Sequence, residues 1–280
     1  MPILETPPLD ALVTVKDRWT PLFLEHGRLE VDDSSVKWIS SDGNVSRLPV
    51  ATMSVIALGP GTSITHAAIK ACAQCNTPVV WIGSDYLHFY ALGHTPTSNN
   101  ENSKIHATAW ANHKSKLVIA KRLFSKRFPD VDIEKSTITQ LRGLEGIKIR
   151  NKYAEFGQHF GVPWKGRDYS HSNFFLSDNI NQALSSANSS LYALVLSAVH
   201  CLGYLPQLGF IHNAGRLPFV YDIADLYKLE TSIPASFHSI SQNPKDHGKL
   251  ARSLLKEYLE KNRVAQRLPD DIQSLFDGLI

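Results

Sequence analysis

The chain has 280 residues, of which 43% are hydrophobic and 20% charged, and a formal net charge of +3; these are the proportions of a globular protein and set disordered and fibrous classes aside. The length exceeds one typical domain and points to two. No apolar run approaches a membrane span, the opening MPILETPPLD has neither the basic start nor the apolar core of a signal peptide, and three cysteines cannot build a disulfide framework; a cytoplasmic protein without membrane contact is expected.

The charge is unevenly spread. Between residues 104 and 152, twelve Lys and Arg face four Asp and Glu, a balance of +8, while residues 1–103 carry −4 and residues 153–280 carry −1. One basic segment in an otherwise acidic or neutral chain suggests a localised polyanion surface, with a solvated helical face as the plain alternative.

In chain order, residues 20–58 alternate as strands do (LFLEHGRLEV, VKWISSDGNVSRLPV, MSVIALG), and Asp42-Gly43 is a hairpin signal. GPGTSITHAAIKACAQCN follows, with Thr62 or Ser63 as candidate N-cap of an apolar helix. Pro78–Gly83 and Tyr86–Gly93 are two further strands. Residues 94–103, HTPTSNNENS, are polar and read as a linker, which divides the chain into domains at 1–93 and 104–280. Beyond it the periodicity becomes helical, with helices expected near 104–127, 134–160, 179–202, 219–230 and 246–262, and a loop GVPWKGRDYSHSNF between the second and third. The fold class is α+β: a β-rich N-terminal domain with one helix, then an all-α C-terminal domain.

Gly59-Pro60-Gly61-Thr62 lacks the Walker lysine and the dinucleotide spacing, so it reads as a tight turn. Cys72 and Cys75 fall inside a helix beside alanines and are assigned to packing rather than to zinc or redox chemistry. Lys114, Lys116, Lys121, Arg122, Lys126 and Arg127 lie along one helix, with Leu117, Phe124 and Phe128 as its core-facing row.

Two segments carry chemistry. In LRGLEGIKIR, residues 141–150, Glu145 sits between two glycines that each cost a helix ~1 kcal/mol, a cost tolerated where a backbone or ligand comes close. Arg142 and Ile149 fall on the side of Glu145. In GFIHNAGRLPFVYDIADLYK, residues 209–228, Asp222 and Asp225 lie three apart on a helix whose side chains lean back toward His212. Adjacent carboxylates repel unless a cation sits between them, and imidazole with carboxylates suits Mn²⁺ or Mg²⁺. The plain alternative is a surface helix start, where acids favour the helix dipole.

QLRGLEG, NQALSSANSSLYALVLSAVHCLGYLPQLGFIH and FVYDIADLYK together resemble the integrase of CRISPR adaptation, the first CRISPR-associated protein. VKDRWTPLFLEHGRLEV, GPGTSITHAAIKACAQCNTPVVWIG and HFYALG resemble its type I-E branch, and the likeness runs in order from Val15 to Arg252. The resemblance implies a β-sandwich-like N-terminal domain and a helical catalytic domain. It implies a metal-dependent DNA endonuclease and integrase, using Mg²⁺ or Mn²⁺, that inserts short double-stranded fragments into the CRISPR array. It further implies a homodimer, formed through the β-rich half, that bridges to the small second CRISPR-associated protein. The family's metal ligands fall on Glu145, His212 and Asp225, and its additional active-site acid on Asp222. Arg142, Lys148, Lys121, Arg122, Lys126 and Lys70 are the candidates for DNA contacts. The sequence has His26 where relatives can carry a tyrosine wedge and Ser63 where they can carry arginine, and it stops at Ile280 where they can extend in a proline-rich tail. The competing functional readings are a structure-specific metal nuclease of branched repair intermediates and a non-catalytic DNA scaffold.

Overall fold

The computed structural model describes residues 20–279 except 34, 84–88, 94–99, 134, 168–176 and 244. The chain divides into two compact units, Met1–Ser98 and Asn99–Ile280. Of the expected linker, residues 94–99 lie outside the described residues, and Glu101–Ser103 are already helical.

The first unit contains β1 (Thr20–Leu24), β2 (Gly27–Asp32), β3 (Ser35–Ser40), β4 (Val45–Leu48), β5 (Met53–Leu58), β6 (Thr62–Ile64), α1 (His66–Gln74), β7 (Val79–Ile82) and β8 (Phe89–Gly93). They form two four-stranded sheets, β1-β5-β7-β8 and β4-β3-β2-β6. β5 lies between parallel partners β1 and β7 and is buried at every position, so it reads as a continuous apolar run. Leu29 and Trp38 of one sheet, Ile56 and Leu58 of the other, and Ala68 and Cys72 of α1 share a single core. The sandwich-like expectation therefore holds, and Cys72 is a packed thiol, pushed up to about 12 by burial.

Asp42-Gly43 turns the β3–β4 hairpin, with Gly43 at φ +84°. The N-cap expectation needs correction. Thr62 and Ser63 belong to β6, and Thr65 caps α1 by accepting from the Ala68 N–H. The strand expected from Tyr86 is described only from Phe89, because 86–88 lie outside the described residues.

The second unit contains, among its described residues, α2 (Glu101–Ala111), α3 (His113–Arg127), α4 (Ile138–Phe160), α5 (Asn179–Cys201), α6 (Pro218–Ala224), α7 (Ser232–Gln242), α8 (His247–Lys261) and α9 (Val264–Gln273). The single helix expected over 104–127 is two. Asn112 breaks it, its side chain accepting from the Lys114 and Ser115 N–H groups at 2.9 and 3.1 Å. α4 begins at Ile138 rather than 134, behind a Thr137–Gln140 capping box. α7 and α9 were not expected, each containing a proline (Pro234 and Pro269) that reads as a breaker. Of the expected loop 161–174, residues 168–174 lie outside the described residues.

α5 is the buried axis of this unit, with α6, α7, α8 and α9 packed on it. Its serines survive burial by bonding one turn back: Ser185 to the Asn181 carbonyl, Ser189 to that of Ser185, Ser190 to that of Ser186. Around it, α3, α4, the 205–217 loop and α6 bring together the side chains described next.

Candidate active site

The site is built on the loop that precedes α6. Gly209 is required there by close approach, since an added Cβ would fall 2.2 Å from the His212 carbonyl oxygen and 2.6 Å from Pro218 Cβ. The Trp110 indole N–H donates to the Gly209 carbonyl at 3.0 Å. His106 sits between the Leu208 carbonyl, at 2.8 Å, and the Leu205 N–H, at 3.1 Å. Burial holds the His106 imidazole down at about 4, so it is a neutral two-ended pin.

Asp222 and Asp225 do not lie side by side as a pair; they diverge. Asp222 is buried and turns under the loop, accepting from the N–H groups of Phe210, Ile211 and His212 at 2.6, 3.1 and 2.9 Å. Its Oδ1 also meets His212 Nδ1 at 2.7 Å. An ionised carboxylate has acceptor capacity for all four. Asp225 lies just past the last turn of α6, because the helix expected to Glu230 ends at Ala224 and continues as tight turns.

The two oxygens of Asp225 have different partners. Oδ1 accepts from Lys228 Nζ at 2.6 Å. Oδ2 faces Arg127 Nη1 at 3.2 Å and His212 Nε2 at 4.0 Å. The same Arg127 nitrogen also contacts Glu145 Oε1. Arg127, from the end of α3, thus joins Glu145 of α4 to Asp225. The sequence pattern sets Arg127 among the basic residues of α3 and Arg142 on the side of Glu145; in the structure Arg127, not Arg142, is the cation that contacts Glu145. Arg142 instead donates to the Ile211 carbonyl at 2.6 Å, bracing the residue before His212. The missed signal was Arg127's position beside Phe124 and Phe128 on the buried side of α3.

These neighbours set the protonation of the site. Burial raises the Glu145 carboxyl, and the Asp225 charge adds to this against the opposing Arg127 guanidinium. Burial also works against an ionised Asp225, but Lys228, Arg127 and His212 outweigh it and hold this carboxyl at about 2. For His212, burial disfavours the cation, yet the Asp222 hydrogen bond and the Asp225 and Asp222 charges raise it above its ordinary value.

Glu145, His212, Asp225, Arg127 and Lys228 line one open cavity of about 730 Å³, whose wall also carries Arg142. Gly146 lies on the same wall, and beyond their own helix turn neither Gly143 nor Gly146 has an atom of the described residues within 4 Å of where a Cβ would stand. The close approach expected at these glycines is therefore not made by the described backbone of this unit. The described residues hold no group of three or more His, Cys, Asp or Glu side chains gathered tightly enough for a metal ion as they stand. The donor chemistry nevertheless fits one: two carboxylates share a cationic nitrogen, and an imidazole nitrogen lies 4.0 Å from one of their oxygens.

The other basic candidates are mostly engaged elsewhere. Arg122 donates to the Leu275 and Asp277 carbonyls, both at 2.8 Å, and Lys126 pairs with Asp271 at 2.8 Å. Lys148 pairs with Asp130. Lys121 is half-buried on α3 and Lys70 exposed on α1 of the first unit. The core row of α3 is Ile119, Ala120, Leu123 and Phe124, and Leu117, expected inward, is 38% exposed.

A family profile described as "CRISPR associated protein Cas1" matches residues 22–131 and 125–233. The chain is 44% identical to the CRISPR-associated endonuclease Cas1 2 of Chlorobaculum tepidum, over 93% of its own length and 89% of that protein's. The chain belongs to the Cas1 family. Its catalytic class is that of the CRISPR-associated endonucleases. The Escherichia coli K12 Cas1 endonuclease is 32% identical over 91% of this chain and 84% of its own. Among solved structures, a TtCas1–DNA complex aligns with a TM-score of 0.85 at 36% identity, covering 93% of both chains. A casposase bound to integration product, at 15% identity and a TM-score of 0.66 over 89% of this chain and 90% of that one, shares the fold. The β-rich and helical halves expected from the sequence are those of Cas1 structures. No helix among the described residues is long and apolar enough to cross a membrane.

Proposed function

We propose that this Cas1 chain inserts short double-stranded DNA fragments into a CRISPR array, a 3′-hydroxyl at the fragment's end attacking an array phosphodiester. The observation that carries the reading is the gathering of Glu145, His212 and Asp225 on one cavity, the two carboxylates sharing a cation and the imidazole nitrogen 4.0 Å from Asp225 Oδ2. Those three side chains would hold a single Mg²⁺ or Mn²⁺. When bound, such an ion offsets charge developing on the phosphoryl oxygens and lowers the pKa of an attacking oxygen.

The chain's own groups prepare that position. Asp222 fixes the His212 ring by Nδ1 and leaves Nε2 facing the site. Lys228 caps one oxygen of Asp225 and turns the other inward. Arg142, Arg150 and Lys165 on the cavity wall present cations to the phosphate backbone, which positions the strand without reading its sequence. The open space over Gly143 and Gly146 leaves room for that strand. The working assembly is a homodimer through the β-rich half with the small second CRISPR-associated protein.

The test is strand transfer into a plasmid carrying a CRISPR repeat, using fragments with free or dideoxy-blocked 3′ ends. Integration that requires the free 3′-hydroxyl and the small partner supports the reading. Cleavage of branched DNA that ignores both would favour the structure-specific nuclease.

A further inference from the structure

We infer that Arg127 is a displaceable stand-in for the metal, holding Glu145 and Asp225 together until a divalent cation takes its place. The inference rests on the metal reading above and adds a residue and a competition to it.

The geometry of one nitrogen carries it. Arg127 Nη1 contacts Glu145 Oε1 and Asp225 Oδ2, so it bridges two carboxylates that come from different helices. That Oδ2 is also the oxygen facing His212 Nε2, at 4.0 Å. An ion bound by both Glu145 Oε1 and Asp225 Oδ2 would compete with this nitrogen for the space between them. A buried and a half-buried carboxylate brought together with no cation between them are unfavourable, and a guanidinium supplies the missing charge.

Arg127 is poorly settled for a purely structural arginine. Its side chain is 8% exposed, yet its Nε has no hydrogen-bond partner among the described residues. A buried donor left unpaired carries a cost that a permanent cross-link would be expected to avoid. The residue also lines the open cavity, which gives the guanidinium somewhere to go. Lys228 is the contrasting cation. It holds the outer oxygen of Asp225 and does not bridge to Glu145, so metal entry leaves its seat untouched.

Two variants separate displacement from a general effect of positive charge. Arg127→Gln removes a charge and vacates the position; Lys228→Gln removes a charge and leaves the position filled. Mn²⁺ affinity, read by electron paramagnetic resonance on the DNA-free protein, is expected to tighten about tenfold or more in R127Q, because a repelling neighbour at contact distance is lost. K228Q is expected to bind no more tightly than wild type, since it releases Asp225 from its orientation. R127Q is also expected to melt at lower temperature without metal and to regain stability with Mn²⁺, whereas a merely structural arginine would lower stability without raising affinity.

The wild-type chain provides a readout free of folding artefacts. Saturating Mg²⁺ is expected to shift the Arg127 Nε–H resonance and speed its exchange with water as the side chain is released. An R127Q affinity equal to or weaker than wild type, an equal gain in K228Q, or an unmoved resonance would each overturn the inference while leaving metal binding intact. If neither wild type nor variants bind Mn²⁺, the metal reading falls and takes this inference with it.

Discussion

Asp222 and His212 meet at 2.7 Å between Oδ1 and Nδ1, and this contact decides which nitrogen the imidazole offers to the site. With Nδ1 occupied, Nε2 is the nitrogen that faces Asp225. Such carboxylate–imidazole pairs typically support metal affinity by 10–100-fold. Asp222→Asn should therefore weaken Mn²⁺ binding by about that range, although Glu145, His212 and Asp225 are untouched. Asp222→Ala should also destabilise the fold by roughly 3 kcal/mol or more, because three loop N–H groups lose their buried charged acceptor. Isothermal titration and thermal melts read the two effects separately, and an unaltered metal affinity in D222N would show that the contact serves the loop alone.

The open space above Gly143 and Gly146 gives a prediction with opposite signs for stability and function. With no atom of the described residues outside its own helix turn within 4 Å of either added Cβ, alanine at each position should stabilise α4 by about 1 kcal/mol. Gly146 lines the cavity and Gly143 does not. Both variants should melt higher, and G146A alone should lose strand transfer. Equal activity in the two would mean that DNA does not pass close to Gly146.

How much was legible in the sequence differs between the fold and the site. The hairpin at Asp42-Gly43 and the long helices α4 and α5 announce themselves through local chemistry and periodicity. The break at Asn112 and the proline-containing α7 and α9 do not, since tertiary packing overrides the local signal there. For the site, residue types and family motifs single out Glu145, His212, Asp222 and Asp225. They do not reveal that Asp222 faces the loop while Asp225 faces Arg127, because that depends on α6 ending at Ala224. Nor can helical spacing show that a residue 18 positions before Glu145 is its nearest cation.

The basic helix α3 is predicted to split into two behaviours. Lys121→Gln should lower the salt dependence of duplex binding by about 0.9 in slope if that side chain meets a phosphate. Arg122→Gln should instead lower the melting temperature at unchanged slope, because its guanidinium holds the Leu275 and Asp277 carbonyls. Binding isotherms across a salt series, with melts alongside, distinguish them. Equal loss of slope in both variants would return Arg122 to the DNA surface.

Acid and base act on His212 in opposite directions for stability and for metal. Its folded pKa is raised, so its contribution to metal-free stability is complete below the unfolded value of about 6.5 and is lost as pH rises through the folded value. Metal binding needs the neutral ring and so weakens as pH falls. At limiting Mn²⁺ the inflection should lie above about 6.5, and tenfold more Mn²⁺ should move it to lower pH. A pH profile at two Mn²⁺ concentrations, with DNA binding followed in parallel, checks this; an inflection that stays in place would mean the titrating group is not a ligand.

The most direct test of the central claim is strand transfer by His212→Ala at saturating Mn²⁺, with fragment binding measured on the same preparation. Nε2 of His212 is the one imidazole nitrogen turned toward Asp225 Oδ2, and Nδ1 is already held by Asp222. The account predicts DNA binding close to wild type and integration abolished. Integration at the wild-type level would contradict it.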